Sequence, residues 1–222
     1  MKLQRLALLG LALVLGSCAL DGGSSGTGIT TITEGNVARV VTVAASAAGM
    51  VPASGAAGFA GSGSLAGIAV SVEGTDVRDE TDASGAFRLS GDYESEVTVR
   101  FVRAQDGVEA RVAVNVPAGG TLGLRDVTLD AATGTAVPAS QSVFFDGTIT
   151  AIDCAGGELQ LVSAQRPDDG DVYVVRLAGS SIVDEAGAPI ACTALAIGQD
   201  ATVSGSVTPD GSFADATIEV TS

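Results

Sequence analysis

The side chains that usually carry enzymatic chemistry are scarce in this chain of 222 residues. It has no His, 26 Asp and Glu residues, and a single lysine, Lys2. His is the one side chain whose ordinary pKa lies between pH 5 and 8, so its absence excludes His-dependent triads, His-ligated metals and the common proton shuttle. Schiff-base chemistry and Ser–Lys dyads need a lysine amine, which is lost if Lys2 is removed with a leader. The sequence therefore predicts no catalytic residue and no cofactor.

The first 18 residues have the three parts of a secretory signal. A basic start is followed by eleven mostly apolar residues from Leu6 to Gly16 and then by small residues. Such a run spans about 16 Å as a helix, too short for a membrane core of about 30 Å. Leu15-Gly16-Ser17-Cys18 resembles the lipobox of bacterial lipoproteins, in which the leader, here residues 1–17, is cut before the cysteine. The resemblance implies that Cys18 is lipidated.

A lipid on Cys18 would place the protein in the cell envelope. Two or more acyl chains hold a protein durably on a membrane. Ala19 follows the cysteine, and under the sorting rule of enteric bacteria we expect the outer membrane, on its periplasmic or surface face. The net charge of −15 disfavours nucleic acid, which proteins bind through Lys and Arg. The expected partners are the membrane, through its anchor, and an unidentified polysaccharide or envelope protein.

Two cysteines remain once Cys18 is lipidated, Cys154 and Cys192. An even pair in an oxidising compartment predicts a disulfide. Closing a loop of about 39 residues would stabilise the fold by roughly 4 kcal/mol through loop-closure entropy. The alternative is a redox-active pair, but these residues lack the CxxC spacing that lowers a thiol pKa.

Acidic side chains offer three weaker alternatives. Asp168, Asp169 and Asp171 form the densest cluster and are weak calcium candidates, but such a run is more often a solvated turn. Asp82 with the acidic residues between 73 and 80 could also supply oxygen ligands, though without the spacing of a known calcium loop. Paired carboxylates could hydrolyse a glycoside if they faced each other across a cleft. We expect no metal site.

Alternating apolar residues predict an all-β chain. Val97 to Phe101 and Val108 to Val116 alternate clearly, and Asp106-Gly107 between them is typical of a tight hairpin. A less regular strand is predicted from Thr31 to Val43. A second series, beginning at Phe145, predicts strands over Thr148–Ile152, Glu158–Val162, Val172–Leu177, Ala201–Val207 and Phe213–Val220.

Composition divides the chain into two domains. Residues 18–28 are rich in Gly and Ser and predict a lipidated tether, and residues 44–64 predict a low-complexity insertion in a first domain over 29–130. The small and polar segment 131–142 predicts a linker. A second domain is expected over 143–222.

Two segments of the first domain carry a recognisable pattern. Leu65 to Thr75 reads LAGIAVSVEGT, and Thr81 to Phe87 reads TDASGAF. They resemble the carboxypeptidase regulatory-like domain, which implies a transthyretin-like β-sandwich over Leu65 to Leu129. Within TDASGAF, Asp82 is suited to bond the backbone N–H groups of the turn, and Gly85 to take a positive φ.

The second domain opens with Gly147 to Ile152, reading GTITAI, and nears its end with the turn Thr208 to Ser212, reading TPDGS. It resembles a bacterial domain of unknown function common in envelope lipoproteins, which implies a small OB-like barrel of five or six strands. OB-type barrels often bind nucleic acids or sugars through aromatic and basic residues on one face. Here that face offers at most Tyr173, Phe213 and Arg176.

These features predict a membrane-anchored envelope lipoprotein that acts as a non-enzymatic binding or spacer module. A carbohydrate-binding module is the alternative, although sugar sites usually expose Trp or Tyr, and this chain has no Trp and only Tyr93 and Tyr173. An enzyme using paired carboxylates is the third. An exposed aromatic pair would favour the sugar module, and a deep cleft with two facing carboxylates would favour the enzyme.

Overall fold

The computed structural model describes residues 30–42, 64–93, 96–167 and 171–221. The predicted leader, Cys18 with its tether, most of the predicted insertion, and Asp168 and Asp169 lie outside the described residues. The described chain is almost entirely β, which confirms the predicted fold class. Its elements are β1 (Thr31–Val41), β2 (Ile68–Val72), β3 (Arg78–Glu80), β4 (Ala86–Gly91), β5 (Glu96–Arg103), β6 (Val108–Asn115), β7 (Thr121–Asp130), β8 (Thr135–Val137), β9 (Ser140–Asp153), β10 (Glu158–Ser163), β11 (Val172–Arg176), β12 (Ser181–Asp184), a short 3-10 helix (Cys192–Ala194), β13 (Asp200–Val207) and β14 (Phe213–Val220).

Strands β1 to β8 form the unit that we call the sandwich. In one layer β1 lies between β4, to which it is antiparallel, and β7, to which it is parallel. In the other layer the order is β3, β2, β5, β6, and all neighbours are antiparallel. Inward-facing residues of both layers share one core, in which Phe87 meets Phe101 edge-on at 5.5 Å between ring centroids. The hairpin predicted at Asp106-Gly107 joins β5 to β6.

The TDASGAF segment forms a tight turn that closes one end of the sandwich. The Asp82 carboxylate accepts hydrogen bonds from the N–H groups of Ser84 and Ala86 at 2.8 and 3.0 Å, and from the Ser84 hydroxyl at 2.6 Å. Gly85 has φ +81°, and a Cβ there would lie 2.2 Å from the carbonyl oxygen of Val37. The positive φ and the lack of space both require glycine at this position.

Strands β9 to β14 form the unit that we call the barrel. Five of them close into a ring in the order β9, β10, β11, β14, β13 and back to β9, with β11 and β14 parallel through the pair Val175 and Phe213. Strand β12 adds to β14 from outside the ring. The centre is aromatic, since Phe145 lies 5.3 Å from Tyr173 and 5.5 Å from Phe213 between ring centroids.

The segment 131–142 is not the loose linker that its composition predicts. It contains β8 and the beginning of β9, and β9 pairs with β7 from Ser140 to Phe144 before it enters the barrel. Ser140 and Ser142 face solvent while Val143 is buried. The polarity of the segment is therefore that of a strand with one solvated face, and one continuous ladder joins the two units.

A second contact holds the units together just before β7 begins. The Ser163 hydroxyl, at the end of β10, donates a buried hydrogen bond of 2.6 Å to the carbonyl oxygen of Ala118. Nearby, the Arg166 guanidinium lies 2.5 Å from the Asp92 carboxylate. The sandwich and the barrel therefore contact each other through both backbone and side chains.

Candidate functional site

The two described cysteines are bonded to each other. Cys154 and Cys192 form a disulfide with Cα atoms 5.8 Å apart, which agrees with the prediction. The bond ties the turn between β9 and β10 to the short 3-10 helix. Both sulfur atoms are therefore bonded in this structure, and neither carries a free thiol.

The acidic residues considered as calcium ligands do not come together at one site in the described part of the chain. Within the described ranges, no group of three or more His, Cys, Asp or Glu side chains is arranged to hold a metal. The Asp82 carboxylate is occupied by the backbone and hydroxyl of its own turn, and the hydrogen bond from the Ser84 hydroxyl, followed by those from the backbone N–H groups, lowers its pKa. Of the other cluster, Asp171 alone is described.

The aromatic residues expected on an OB-type binding face lie in the core instead. Tyr173 and Phe213 are buried inside the barrel, and Tyr93 is buried in the sandwich, where its hydroxyl donates to Thr33 at 2.9 Å. Desolvation raises the pKa of Tyr93. Among the residues that the structure describes, the exposed aromatic is Phe144, half of whose surface is in solvent. The sequence contains a signal for this exposure. Neighbouring residues of a strand face opposite sides of the sheet, so Phe144 and Phe145 cannot both point into the barrel core.

A cleft of about 830 Å³ lies between the two units. One wall is the outer surface of β10 and β11 with the turn between β13 and β14, and it presents Val172 and Val174. The other wall is formed by β5 and β6, and it presents Val97, Ala113 and Asn115. Val172 is 49% exposed, and the Asn115 side-chain oxygen is buried without a hydrogen-bond partner.

Arg176 is the cation of this cleft, and acids surround it. Its guanidinium lies 2.5 Å from Asp210 and 3.8 Å from Glu158, and its Nε donates to the Ser212 hydroxyl at 2.8 Å. Glu96 adds a third carboxylate to the lining, so acids outnumber bases there. The sequence analysis named Arg176 as a residue that an OB-type face would offer, and the structure places it in the lining of the cleft.

Asp210 stays ionised at every ordinary pH. Hydrogen bonds from the hydroxyls of Thr208 and Ser212, then from the Ser212 backbone and Arg176, hold the pKa of Asp210 far below its usual range. A general acid for glycoside hydrolysis must carry a proton near neutral pH, which requires a raised pKa. Asp210 is therefore unsuited to that role.

A second depression of about 470 Å³ is lined by residues of β1, β4, β7, β9 and β13. Its lining includes the small residues Gly123 and Ser142, together with Phe144 and Arg125. Phe144 pairs with Thr121 in the β7–β9 ladder, four residues before Arg125, so the ring and the guanidinium do not lie at the same position along the strands. A Cβ at Gly123 would meet the Ser142 hydroxyl at 2.6 Å, so a larger residue does not fit there.

No family model, curated protein or solved structure matches this chain. In the described part of the chain, no helix is long and apolar enough to cross a membrane.

Proposed function

We propose that this chain is a lipid-anchored, non-catalytic binding module of the bacterial outer membrane, and that it takes its ligand in the cleft between the sandwich and the barrel. The observation that carries the proposal is the cleft itself, whose volume of about 830 Å³ lies within the usual range of ligand sites. Its walls come from two units that share β9 and are tied at Ser163. The cleft is thus held open before a ligand arrives, which reduces the entropic cost of binding.

The order of the barrel strands supports the same site. If the five ring strands are numbered in chain order, leaving out β12, the ring runs 1-2-3-5-4-1. OB-type folds bind ligands on the surface of strands 2 and 3 and at the loop between strands 4 and 5. In this chain those parts are β10, β11 and the turn from Thr208 to Ser212, which form the barrel wall of the cleft. The ring also supports the proposed OB-like family, as the TDASGAF turn supports the proposed carboxypeptidase regulatory-like family.

Site-specific photocrosslinking tests the location of the site. A photoreactive phenylalanine analogue replaces Val172, which is exposed in the cleft, in cells that export the full chain. The matched control replaces Ile197, which is 70% exposed and does not line the cleft. We expect a discrete adduct from position 172 and none from position 197. Equal adducts from both positions, or none from 172, would reject the cleft as the site.

The anchor is tested separately, because Cys18 lies outside the described residues. Cys18→Ser should move the protein from the membrane fraction to the soluble fraction, since acyl chains supply the attachment. Metabolic labelling with a fatty-acid analogue should mark the wild type and not the variant. An unlabelled wild type would refute lipidation.

A carbohydrate-binding module is the second candidate, and Phe144 is the observation that favours it. An exposed ring can stack on the apolar face of a sugar, and the same depression is lined by Ser142 and Arg125, which supply polar groups. A glycan array should then give signals that Phe144→Ala abolishes and Ile197→Ala retains. Signals that survive Phe144→Ala would exclude this depression.

A further inference from the structure

The cleft between the sandwich and the barrel is apolar where its two walls meet. Val207, at the end of β13, lines the cleft and packs against the cores of both units. On the barrel wall, Val172 and Val174 of β11 face away from the barrel core, while Tyr173 between them is buried. A ligand that fills this cleft therefore contacts aliphatic side chains.

Each wall also carries one carboxylate whose charge is little compensated. On the barrel wall, Glu158 pairs with Arg176 in the β10–β11 ladder, but its carboxylate is 3.8 Å from the guanidinium. Charge-assisted hydrogen bonds between nitrogen and oxygen are about 2.7 to 2.9 Å long, and Arg176 makes its close ion pair with Asp210 instead. On the sandwich wall, Glu96 pairs with Asn115 in the β5–β6 ladder. No arginine in the described part of the chain forms an ion pair with Glu96.

The charges of the lining select among ligand classes. An anion would be repelled, because three carboxylates and one guanidinium line the cleft. A hard metal ion such as calcium takes six to eight oxygen ligands, and within the described ranges no carboxylates are grouped to hold one. A neutral ligand would take water from both carboxylates without giving them a partner, which is costly. An organic cation satisfies both the carboxylates and the aliphatic surface.

We propose that the cleft binds an aliphatic diamine or polyamine, with one ammonium group at Glu158, a second at Glu96 and the methylene chain against the valines; this rests on the cleft being the ligand site proposed above. Two carboxylates on opposite walls match two cations joined by an apolar chain, whereas a monoamine leaves one carboxylate unpaired. Burial of the methylene groups adds to the affinity. The opposite charges determine which ligands are selected.

NMR titration of the full chain in nonionic micelles measures both the affinity and the place of binding. The probes are diaminopentane, with an amine at each end, and spermidine. We expect saturable shifts of the amides of Val172, Val174 and Ala113, and none at Ile197. Aminopentane has the same chain and one charge, and it should bind about fivefold more weakly than the diamine or worse. Added salt should weaken binding, because both carboxylates are partly exposed to solvent.

Matched charge variants test whether the two acids act in the cleft or only through the net charge of the chain. Glu158→Gln and Glu96→Gln should each weaken diamine binding about threefold, since a partly exposed ion pair contributes modestly. Glu219→Gln makes the same change in net charge at an exposed position of β14 outside the cleft. It should leave the affinity within about 1.5-fold of wild type. Equal weakening in all three variants, or shifts that do not saturate, would show diffuse attraction to an acidic protein and overturn the proposal.

Failure of this proposal can be told apart from failure of the cleft as a binding site. If position 172 gives a discrete photocrosslinked adduct and the amines do not bind, the cleft takes a ligand of another class, and this proposal alone is wrong. Val174→Arg adds bulk and a positive charge to the barrel wall and should abolish diamine binding. If this variant leaves the affinity unchanged, the amines bind elsewhere and the proposal is wrong. If position 172 also gives no adduct, both proposals fail.

Discussion

The barrel and the sandwich handle their sheet edges in opposite ways. The barrel closes five strands into a ring and adds the bond between Cys154 and Cys192. The sandwich stays open, and its layers end at β3 and β4, each of which pairs with one neighbour. Closure removes backbone groups from further pairing, whereas an open edge keeps them available. The comparison indicates that the ring of the barrel leaves fewer backbone groups available for further pairing than the sandwich does.

The buried interiors differ as well. The barrel core is aromatic, with Phe145 against Tyr173 and Phe213. The sandwich buries a cation, Arg103, whose Nε donates to the Asp106 carboxylate at 3.0 Å while its Nη1 has no partner. The sandwich therefore depends on one ion pair at the β5–β6 hairpin, for which the barrel core has no counterpart among the described residues.

Removing the disulfide should have the largest effect, and it should fall on the barrel. Cys154→Ser with Cys192→Ser should lower the free energy of unfolding by about 4 kcal/mol, since the bond closes a long loop in the unfolded chain. Hydrogen exchange with mass spectrometry should show faster exchange in β10, β11 and β14. Equal loss of protection in β2 and β5 would mean that the two units unfold as one.

The sandwich should respond most to loss of the Asp106 carboxylate. Asp106→Ala leaves the buried Arg103 cation unpaired and should cost roughly 3 kcal/mol, less if solvent reaches the guanidinium. Arg103→Met, in contrast, removes the cation together with its need for a partner and should cost about 1 kcal/mol or less. Denaturant unfolding of both variants provides the comparison. Equal losses would show that Arg103 contributes by packing and not by charge.

The contact between the units should have an intermediate effect. Ser163→Ala removes the donor to the Ala118 carbonyl and should cost about 1 to 2 kcal/mol, because a buried acceptor loses its partner. Ser84→Ala, at an exposed turn, is the control for loss of a serine hydroxyl. Hydrogen exchange at residues 116–120 should rise in Ser163→Ala and not in Ser84→Ala.

Lowering the pH should have the smallest effect on stability, and it should act through one turn in each unit. The folded pKa values of Asp82 and Asp210 are lowered by hydroxyl and backbone hydrogen bonds. Their stabilisation is therefore complete above the unfolded pKa of about 3.9 and declines as the pH falls through the lowered folded values. Unfolding measured between pH 5 and 2 should show a weaker pH dependence in Asp210→Asn than in wild type. An unchanged slope would mean that the turn hydrogen bonds form in the unfolded chain too.

Much of the strand content could be predicted from the sequence, because alternation of apolar residues reports burial directly. Val97 to Phe101 and Val108 to Val116 were predicted as antiparallel neighbours, and β5 and β6 confirm this. The disulfide followed from the count of cysteines. These features depend on local pattern or on composition, which a single sequence contains.

The junction could not be predicted, because it depends on how two units meet. The segment 131–142 is small and polar, and only the pairing of β9 with β7 makes it a strand. The cleft is lined by Ala113 and Asn115 on one side and by Val174 on the other, and Val174 comes about 60 residues later in the chain.

Residue-resolved amide hydrogen exchange by NMR on the full chain in detergent micelles tests most directly whether the two units are held together around the cleft. Residues 121–125 of β7 and 140–144 of β9 form the ladder that joins the units, so their amides should be protected as strongly as those of the β5–β6 ladder inside the sandwich. Exchange about 100-fold faster in the β7–β9 ladder than in the β5–β6 ladder would mean that the units separate readily, and would contradict a cleft that is held open before a ligand arrives.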